Sequence, residues 1–341
     1  MIKLSPITEK RVKNFKKNKR AYYSLIIFAS LFIFSLMAEL IANDKPLLVS
    51  YKNKIYTPII NEYNETVFGG DFPTPTDYKD LYIQDNIKKH GYIIWPAIRF
   101  SFNTINYQLT KPTPAPPNSE NLLGTDDEGR DILARTIYGF RLSIVFAFIL
   151  TFISSFIGIL AGAIQGYFGG KIDLFFQRFL EIWESMPQLF ILIIIASIFT
   201  PSFWSLLFIL LLFNWTSLTS VVRAEFFRTR NFEYVKAAKA LGVNDSKIIF
   251  KHILPNAIVA TITFIPFILS ESIVSLTALD FLGFGLPIEY PSLGDLVRQG
   301  KDNLTAPWIG ISIFVTLSFT LSLLIFIGEG VRDAFDARKN K

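Results

Sequence analysis

The sequence predicts an all-α integral membrane protein with six spanning helices and a long insertion after the first. Three observations carry this. Of the 341 residues, 51% are hydrophobic and only 18% are charged, against about 25% charged in an ordinary soluble domain. Mean hydropathy is +0.38. The apolar residues fall in runs close to the roughly 20 residues a spanning helix needs, and lysines and arginines gather in three of the segments outside those runs. The same numbers exclude a disordered chain. Cysteine is absent, so disulfides, thiolate metal sites and a cysteine nucleophile are excluded. With only His90 and His252, no histidine metal centre is expected.

Residues 1–21 form a basic segment, with eight Lys or Arg and one Glu in the first twenty. The first span covers 22–42. It is long for a cleaved signal peptide and lacks a small-x-small pair near Glu39, so it reads as an uncleaved anchor. Residues 43–141 are too many for a mere connection. Within them, 43–110 reads as a small ordered insertion and Lys111–Pro117 as a stiff polyproline-type linker. Thr125 or Asp126 is placed to cap a helix beginning near Asp127. That capping role is preferred over a cation site at Asp126, Asp127, Glu128 and Asp131, whose spacing is not that of a calcium loop.

The core, residues 142–330, holds the other five runs: Leu142–Ile164, Met186–Phe199, Phe203–Val222, Ala257–Leu276 and Trp308–Ile327. Gly166, Gly169 and Gly170 read as a turn between two spans. The Met186–Phe199 run is too short alone. If its helix starts near Asp173, Gln177, Glu181 and Glu184 share one face, and a polar stripe on a spanning helix faces protein or water. A surface amphipathic helix feeding a short span is an equal reading. Glu271 sits inside the fifth run, where a charge costs about 2.5–3.5 kcal/mol, so it should face a cavity or a partner. Pro266 kinks that run, and Pro187 and Pro266 are the candidate hinges.

Six spans put both termini on one side together with the basic segment 223–251, and the positive-inside rule makes that side cytoplasmic. The insertion 43–141 and the loop 277–306 then lie on the opposite side. The net charge of +6 is thereby a topology signal, and no nucleic-acid partner is expected. The nearest approach to a phosphate-cradling loop, residues 165–172, has Gln165 and Ile172 where Gly and Ser or Thr are needed. No zinc-binding H-E-x-x-H or nucleophile elbow is present. No catalytic residue, metal or cofactor is expected on this chain.

The segment 231–256 carries the strongest local pattern. Strong helix formers over Lys236–Leu241 precede Gly242, a residue suited to the left-handed end of a helix. Asn244 or Asp245 can cap a second helix with Ile248, Ile249, His252 and Ile253, which Pro255 ends or bends. The small Ala237 and Ala238 would let another protein pack closely.

This segment resembles the coupling loop of ABC-importer permeases, in which E-A-A, three residues, Gly, nine residues and I-x-L-P follow in order. Ala237-Ala238, Gly242 and Leu254-Pro255 match; Lys236 stands at the usual Glu and His252 at the usual Ile, with Glu233 one turn earlier as a substitute charge. Leu123–Asp131, Gly166–Gly170, Phe281–Gly285 and Gly330–Arg338 are similar to the oligopeptide and dipeptide branch. The insertion resembles that of Yej-type permeases, implicated in oligopeptide and microcin C uptake. The resemblance implies a type I ABC-importer fold in the bacterial inner membrane with a periplasmic insertion and a cytoplasmic coupling loop, 223–255, and tail, 331–341. It implies that Glu233, Lys236, Ala237, Ala238, Gly242, Asp245, His252, Leu254 and Pro255 contact an ABC ATPase subunit that binds ATP and Mg. It further implies a second homologous permease subunit, a periplasmic peptide-binding protein and a peptide substrate passing Gln177, Glu181, Glu184 and Glu271. A proton-coupled secondary peptide transporter using Glu271 is the alternative; a membrane hydrolase lacks any recognisable nucleophile.

Overall fold

The computed structural model describes residues 6–287 and 289–335. Residues 1–5 and 336–341, with part of both basic termini and the tail residues Arg338, Lys339 and Lys341, lie outside the described residues. The helices are α1 (Pro6–Lys17), α2 (Lys19–Leu36), α3 (Ala38–Ile41), α4 (Leu81–His90), α5 (Ile132–Phe168), α6 (Gly170–Ser185), α7 (Gln188–Ile198), α8 (Phe203–Asn214), α9 (Thr216–Thr229), α10 (Glu233–Ala240), α11 (Asp245–Lys247), α12 (Leu254–Ile262), α13 (Ile265–Phe281), α14 (Leu293–Asp302) and α15 (Pro307–Phe335). Among the described residues, four stretches are long and apolar enough to cross a membrane: Lys19–Leu36, Ile132–Phe168, Phe203–Thr229 and Pro307–Phe335. Two bent pairs, α6 with α7 at 79° and Asp245–Ile262 with α13 at 56°, bring the number to six. The six-span architecture therefore holds, with two spans broken.

The chain divides into two compact units, one of residues 1–30, 143–287 and 317–341, the other of 31–142 and 288–316. In the first, the backbones of α5 and α9 meet closely along a row of glycines. A Cβ on Gly158 would lie 2.5 Å from the Trp215 carbonyl, one on Gly162 2.6 Å from that of Thr219, and one on Gly166 2.6 Å from that of Arg223. Small residues at four-residue spacing are how helices approach this nearly in a membrane. Gly166 is thus a packing residue inside a helix rather than part of a turn. The turn is Gly169-Gly170, both at positive φ (64° and 55°). Next to it Asp173 accepts two hydrogen bonds from Arg223, at 2.5 and 2.7 Å, tying α6 to α9.

The second unit contains the insertion. Its strands β1 (Leu48–Tyr51), β2 (Lys54–Tyr56) and β3 (Gly91–Ile94) form an antiparallel sheet in the order β2-β1-β3. The two residues joining β1 to β2, Lys52 and Asn53, both have positive φ (48° and 59°), the mirror-image turn that suits the twist of a hairpin. Phe68, fully buried, is ringed edge-on by Tyr51, Tyr56, Tyr63 and Tyr78. Beneath it lie Ile83 and Ile87 of α4, whose first turn is capped by Asp80. The insertion is therefore ordered as expected, but it adds a small sheet to a fold read as all-α. Its strands are only three or four residues long, below what an alternating pattern makes visible.

Two further expectations are corrected in this unit. Asp131, not Thr125 or Asp126, caps the helix: its carboxylate accepts from the Ala134 amide at 2.7 Å, and the helix begins at Ile132. Asp126 is buried and accepts from Arg130 Nε (2.8 Å) and Arg135 Nη1 (2.7 Å), while Arg135 Nη2 reaches Asp295 of α14 at 3.1 Å. Burial works against the charge of Asp295, but hydrogen bonds from Arg298 and Gln299 and the Arg135 charge outweigh it and hold its carboxyl below the usual range. The Pro-rich run is not a free linker. Ala115 is buried and exchanges two hydrogen bonds with Thr125, donating to its hydroxyl at 2.8 Å and accepting from its amide at 2.9 Å.

Replacing Gly162 by Val should destabilise the protein by about 1–3 kcal/mol, because a packed backbone contact cannot yield to a side chain. Gly310→Ala, where a Cβ would meet nothing nearer than 3.9 Å, should be neutral or stabilising by up to about 1 kcal/mol. Thermal unfolding in detergent reads both, and equal losses would contradict the close-packing account.

Candidate functional site

The segment between α9 and α13 is a helical hairpin fastened at its base and exposed at its tip. α10 ends as the sequence predicts. Gly242 takes φ +75°, its amide donates to the Lys239 carbonyl at 3.0 Å, and the Val243 amide donates to Ala238 at 3.1 Å, the paired bonds of a glycine-terminated helix. Asn244 rather than Asp245 caps the next helix, accepting from the Ser246 amide. Asp245 instead accepts a hydrogen bond from the Tyr167 hydroxyl at the end of α5.

Pro255 does not end the second helix. It lacks an amide proton and its ring would crowd the carbonyl four residues back. The six residues before it, Ile248–Ile253 with Leu254 following, widen into a π-helical turn in which the Leu254 amide donates to Ile249, five residues back. The helix then continues as α12 to Ile262, so the hairpin runs without interruption into the fifth span.

The base of the hairpin is apolar. Val235, Ile248, Ile253 and Ala257 pack with Ala163 and Tyr167 of α5 and Val222 and Phe226 of α9. Arg230 donates to the carbonyls of Gly166 and Tyr167, both at 3.1 Å, and its guanidinium lies over the Phe227 ring. Asn256 donates to the Tyr234 hydroxyl at 3.2 Å and to the His252 carbonyl at 3.3 Å, joining α10 to the second helix. The tip is the reverse. Leu241 is 84% exposed, Phe250 58%, and Phe232 and Tyr234 over 40% each. Nothing lies within 4 Å of where a Gly242 side chain would begin. Ala237 is exposed and Ala238 half-buried. Lys236 reaches Glu233 at 3.4 Å, with both side chains largely exposed, so the two charges meet each other on the surface.

The polar residues of the spans are less gathered. Gln177 donates to Gln165 of α5 at 2.9 Å. Glu181 accepts from Arg178 of its own helix and stays exposed. Glu184 and Glu271 are exposed, and among the described residues neither has a side-chain ion pair or hydrogen bond. The stripe of Gln177, Glu181 and Glu184 lies wholly on α6, which turns by 79° into α7 at Met186-Pro187. The two helices together are long enough for one span, broken at the bend, and neither alone reaches the length a span needs. Pro266 lies in the first turn of α13, just after the 56° break at Thr263-Phe264.

Sequence reasoning missed Tyr167, Arg223, Arg230 and Asp173. Each is far in sequence from its partner, and no local pattern marks such pairs. Gly158, Gly162 and Gly166 did carry a signal, their four-residue spacing.

Residues 154–341 match the family model described as the binding-protein-dependent transport system inner membrane component. The chain is 55% identical over 339 residues, 99% of each chain, to the inner membrane ABC transporter permease protein YejE of Escherichia coli strain K12. It is 54% identical to the peptidoglycan transport system permease protein YejE of Agrobacterium fabrum, over 98% of this chain and 94% of that one. It is 35% identical to the oligopeptide transport system permease protein OppC of Lactococcus lactis strain IL1403, over 70% of this chain and 82% of that one.

Gly242→Val should cost the hairpin about 1–2 kcal/mol, the penalty of a β-branched residue held at left-handed φ, while Gly242→Asn should cost less. Hydrogen exchange of the 233–240 amides reads the difference. Equal exchange in the two variants would contradict the backbone role of this glycine.

Proposed function

The chain belongs to the family of binding-protein-dependent transport system inner membrane components and is the permease of an ABC importer, and from that premise we propose how it works and what it carries. The hairpin of residues 231–255 seats in a cleft of a separate ABC ATPase subunit, which binds ATP and Mg. Closure of the ATPases moves the hairpin, and α5, α9 and the fifth span move with it. The observation that carries this reading is the contrast within the hairpin: an apolar base locked onto α5 and α9 and an apolar tip with nothing on it. A large exposed apolar surface on a soluble face marks a protein partner.

The positive-inside rule supports a cytoplasmic location for the hairpin and both termini, with 43–141 facing the periplasm. A periplasmic binding protein delivers substrate to that side. A second, homologous permease completes the path; Glu271 and Glu184, which among the described residues make no side-chain ion pair or hydrogen bond, face it or the water it encloses. Pro187 and Pro266, beside the two bends, are the hinges. The substrate is an oligopeptide or a peptide-bearing cell-wall fragment, in keeping with relatives named for oligopeptide, dipeptide and peptidoglycan transport. Microcin C is a narrower proposal, resting on the resemblance of the insertion to Yej-type permeases. Chemistry on the substrate is not part of the role, since the relatives are transport permeases.

The test is peptide uptake into proteoliposomes holding the ATPases, both permeases and the binding protein. Uptake should require ATP inside and survive a protonophore, and Leu241→Asp should reduce it at least tenfold at unchanged protein level. Uptake driven by a proton gradient without the ATPases, and lost in Glu271→Gln, would overturn the proposal.

A further inference from the structure

One exposed row on the first span and the helix before it passes from cation to aromatic to aliphatic. Lys13, Lys16, Arg20, Tyr23 and Ile27 follow at steps of three and four, the spacing of one helical face, and all five are exposed. Ile27 lies inside the span Lys19–Leu36, and Tyr23 one turn in from its start. Tyrosine is favoured where acyl chains meet headgroups. At 1.5 Å per residue Arg20 stands about 5 Å outside Tyr23 and Lys16 about 10 Å, against a headgroup layer roughly 5–8 Å deep.

The rotation of α1 is set from its other side, where it runs along the end of α15. The Arg11 guanidinium lies 4.5 Å from the Phe335 ring centre. A Cβ on Gly330 would strike that of Ala21 and stand 3.1 Å from the Phe15 ring. Asn18 interrupts the helical path and caps α2, its carboxamide accepting from the Ala21 amide at 3.3 Å. Arg11, Phe15 and Asn18 are accordingly half-buried, while Lys13, Lys16, Lys17 and Arg20 point away from α15. Among the described residues none of these four makes an ion pair. Residues 13–20 hold five cations and no acid. The acids within reach are Glu9 on α1, and Glu329 and Asp333 of α15, which line a groove of about 500 Å³ with Lys17, Lys19 and Arg20. With Lys10 and Arg11, seven cations stand against these three acids. A phosphodiester accepts charge-assisted hydrogen bonds from ammonium and guanidinium groups, and a basic cluster directly beside a span draws acidic lipid.

We propose that Lys13, Lys16, Lys17 and Arg20 bind the headgroup of an acidic phospholipid whose chains lie along Tyr23 and Ile27, and that this lipid holds α1 against the end of α15. The site needs neither an ATPase nor a peptide, so it stands or falls apart from the transport reading.

The test is hydrogen exchange on the full chain in nanodiscs of phosphatidylcholine, alone or with about one third phosphatidylglycerol. Amides 10–17 should exchange at least threefold more slowly with the acidic lipid, and amides 83–90 of α4 should not change. The slowing should shrink in about 0.5 M salt, which screens exposed charges. Lys13→Gln, Lys16→Gln, Lys17→Gln and Arg20→Gln together should abolish it. Lys52→Gln, Lys54→Gln, Lys88→Gln and Lys89→Gln, which remove as many charges from the insertion, should leave it intact. The comparison of bilayers in the wild type needs no variant, so it decides the matter even if the first quadruple variant does not insert. Equal exchange in the two bilayers, or slowing that persists in an inserted quadruple variant, overturns the proposal. So does equal slowing by phosphatidylethanolamine, which would make the groove beside Glu329 and Asp333 a site for a zwitterion. Slowing that comes only with an added ATPase subunit would make α1 a protein contact and also overturns it.

Discussion

The backbone-to-backbone approach of α5 and α9 is the constraint on which the coupling hairpin depends. Gly158, Gly162 and Gly166 present no side chains to α9, so carbonyls of Trp215, Thr219 and Arg223 come within 2.5–2.6 Å of where a Cβ would stand. This brings the α5 end, with Tyr167, beside Phe226 and makes one apolar floor for the hairpin. Everything polar about the hairpin is built on that floor. Tyr167 reaches Asp245, Arg230 reaches the last carbonyls of α5, and Arg223 holds Asp173 across the Gly169-Gly170 turn. Lipid supplies no hydrophobic drive for helices to associate, so close packing and hydrogen bonds must do it.

The proposed lever needs stiffness at its docking end and bends further along, and the helices are continuous at the hairpin and bent beyond it. The π-helical turn before Pro255 keeps the second hairpin helix continuous with α12, which packs along α9. The breaks come later, at Thr263-Phe264 and at Met186-Pro187. At each, a proline lies at the start of the following helix, where its missing amide proton costs least. On the proposed mechanism these bends are where the two broken spans change angle while the hairpin stays on α5 and α9.

Much of this was legible in the sequence because it is local. Gly242 with helix formers before it and Asn244 after it specified helix, stop and helix. The apolar runs gave the spans, although their ends moved: the second helix runs 132–168 rather than 142–164, because turns rich in hydroxyl and small residues beyond the greasy core still form helix. Of the two outcomes open at Pro255, an end or a bend, the helix does not end: it distorts into a π turn and continues, because a proline rule assumes α-helical geometry. Thr125 and Asp126 looked like a cap because Asp-rich stretches usually are one; their real partners, Ala115, Arg130 and Arg135, include contacts that sequence distance hides. The polar stripe of Gln177, Glu181 and Glu184 was read correctly as one helix face. Whether that helix ran straight into the next depended on two residues, Met186 and Pro187.

The central claim is that the hairpin and α5 move as one body when the ATPases close. The chain has no cysteine, so it adds no background to spin labels placed at Lys247→Cys on the hairpin and Phe152→Cys on α5, both exposed. Pulsed dipolar spectroscopy on the reconstituted transporter would then give the distance between them with and without trapped ATP. The account predicts one narrow distance, the same in both states. A broad distribution, or a distance that shifts on ATP trapping, would contradict it and make the hairpin a flexible tether.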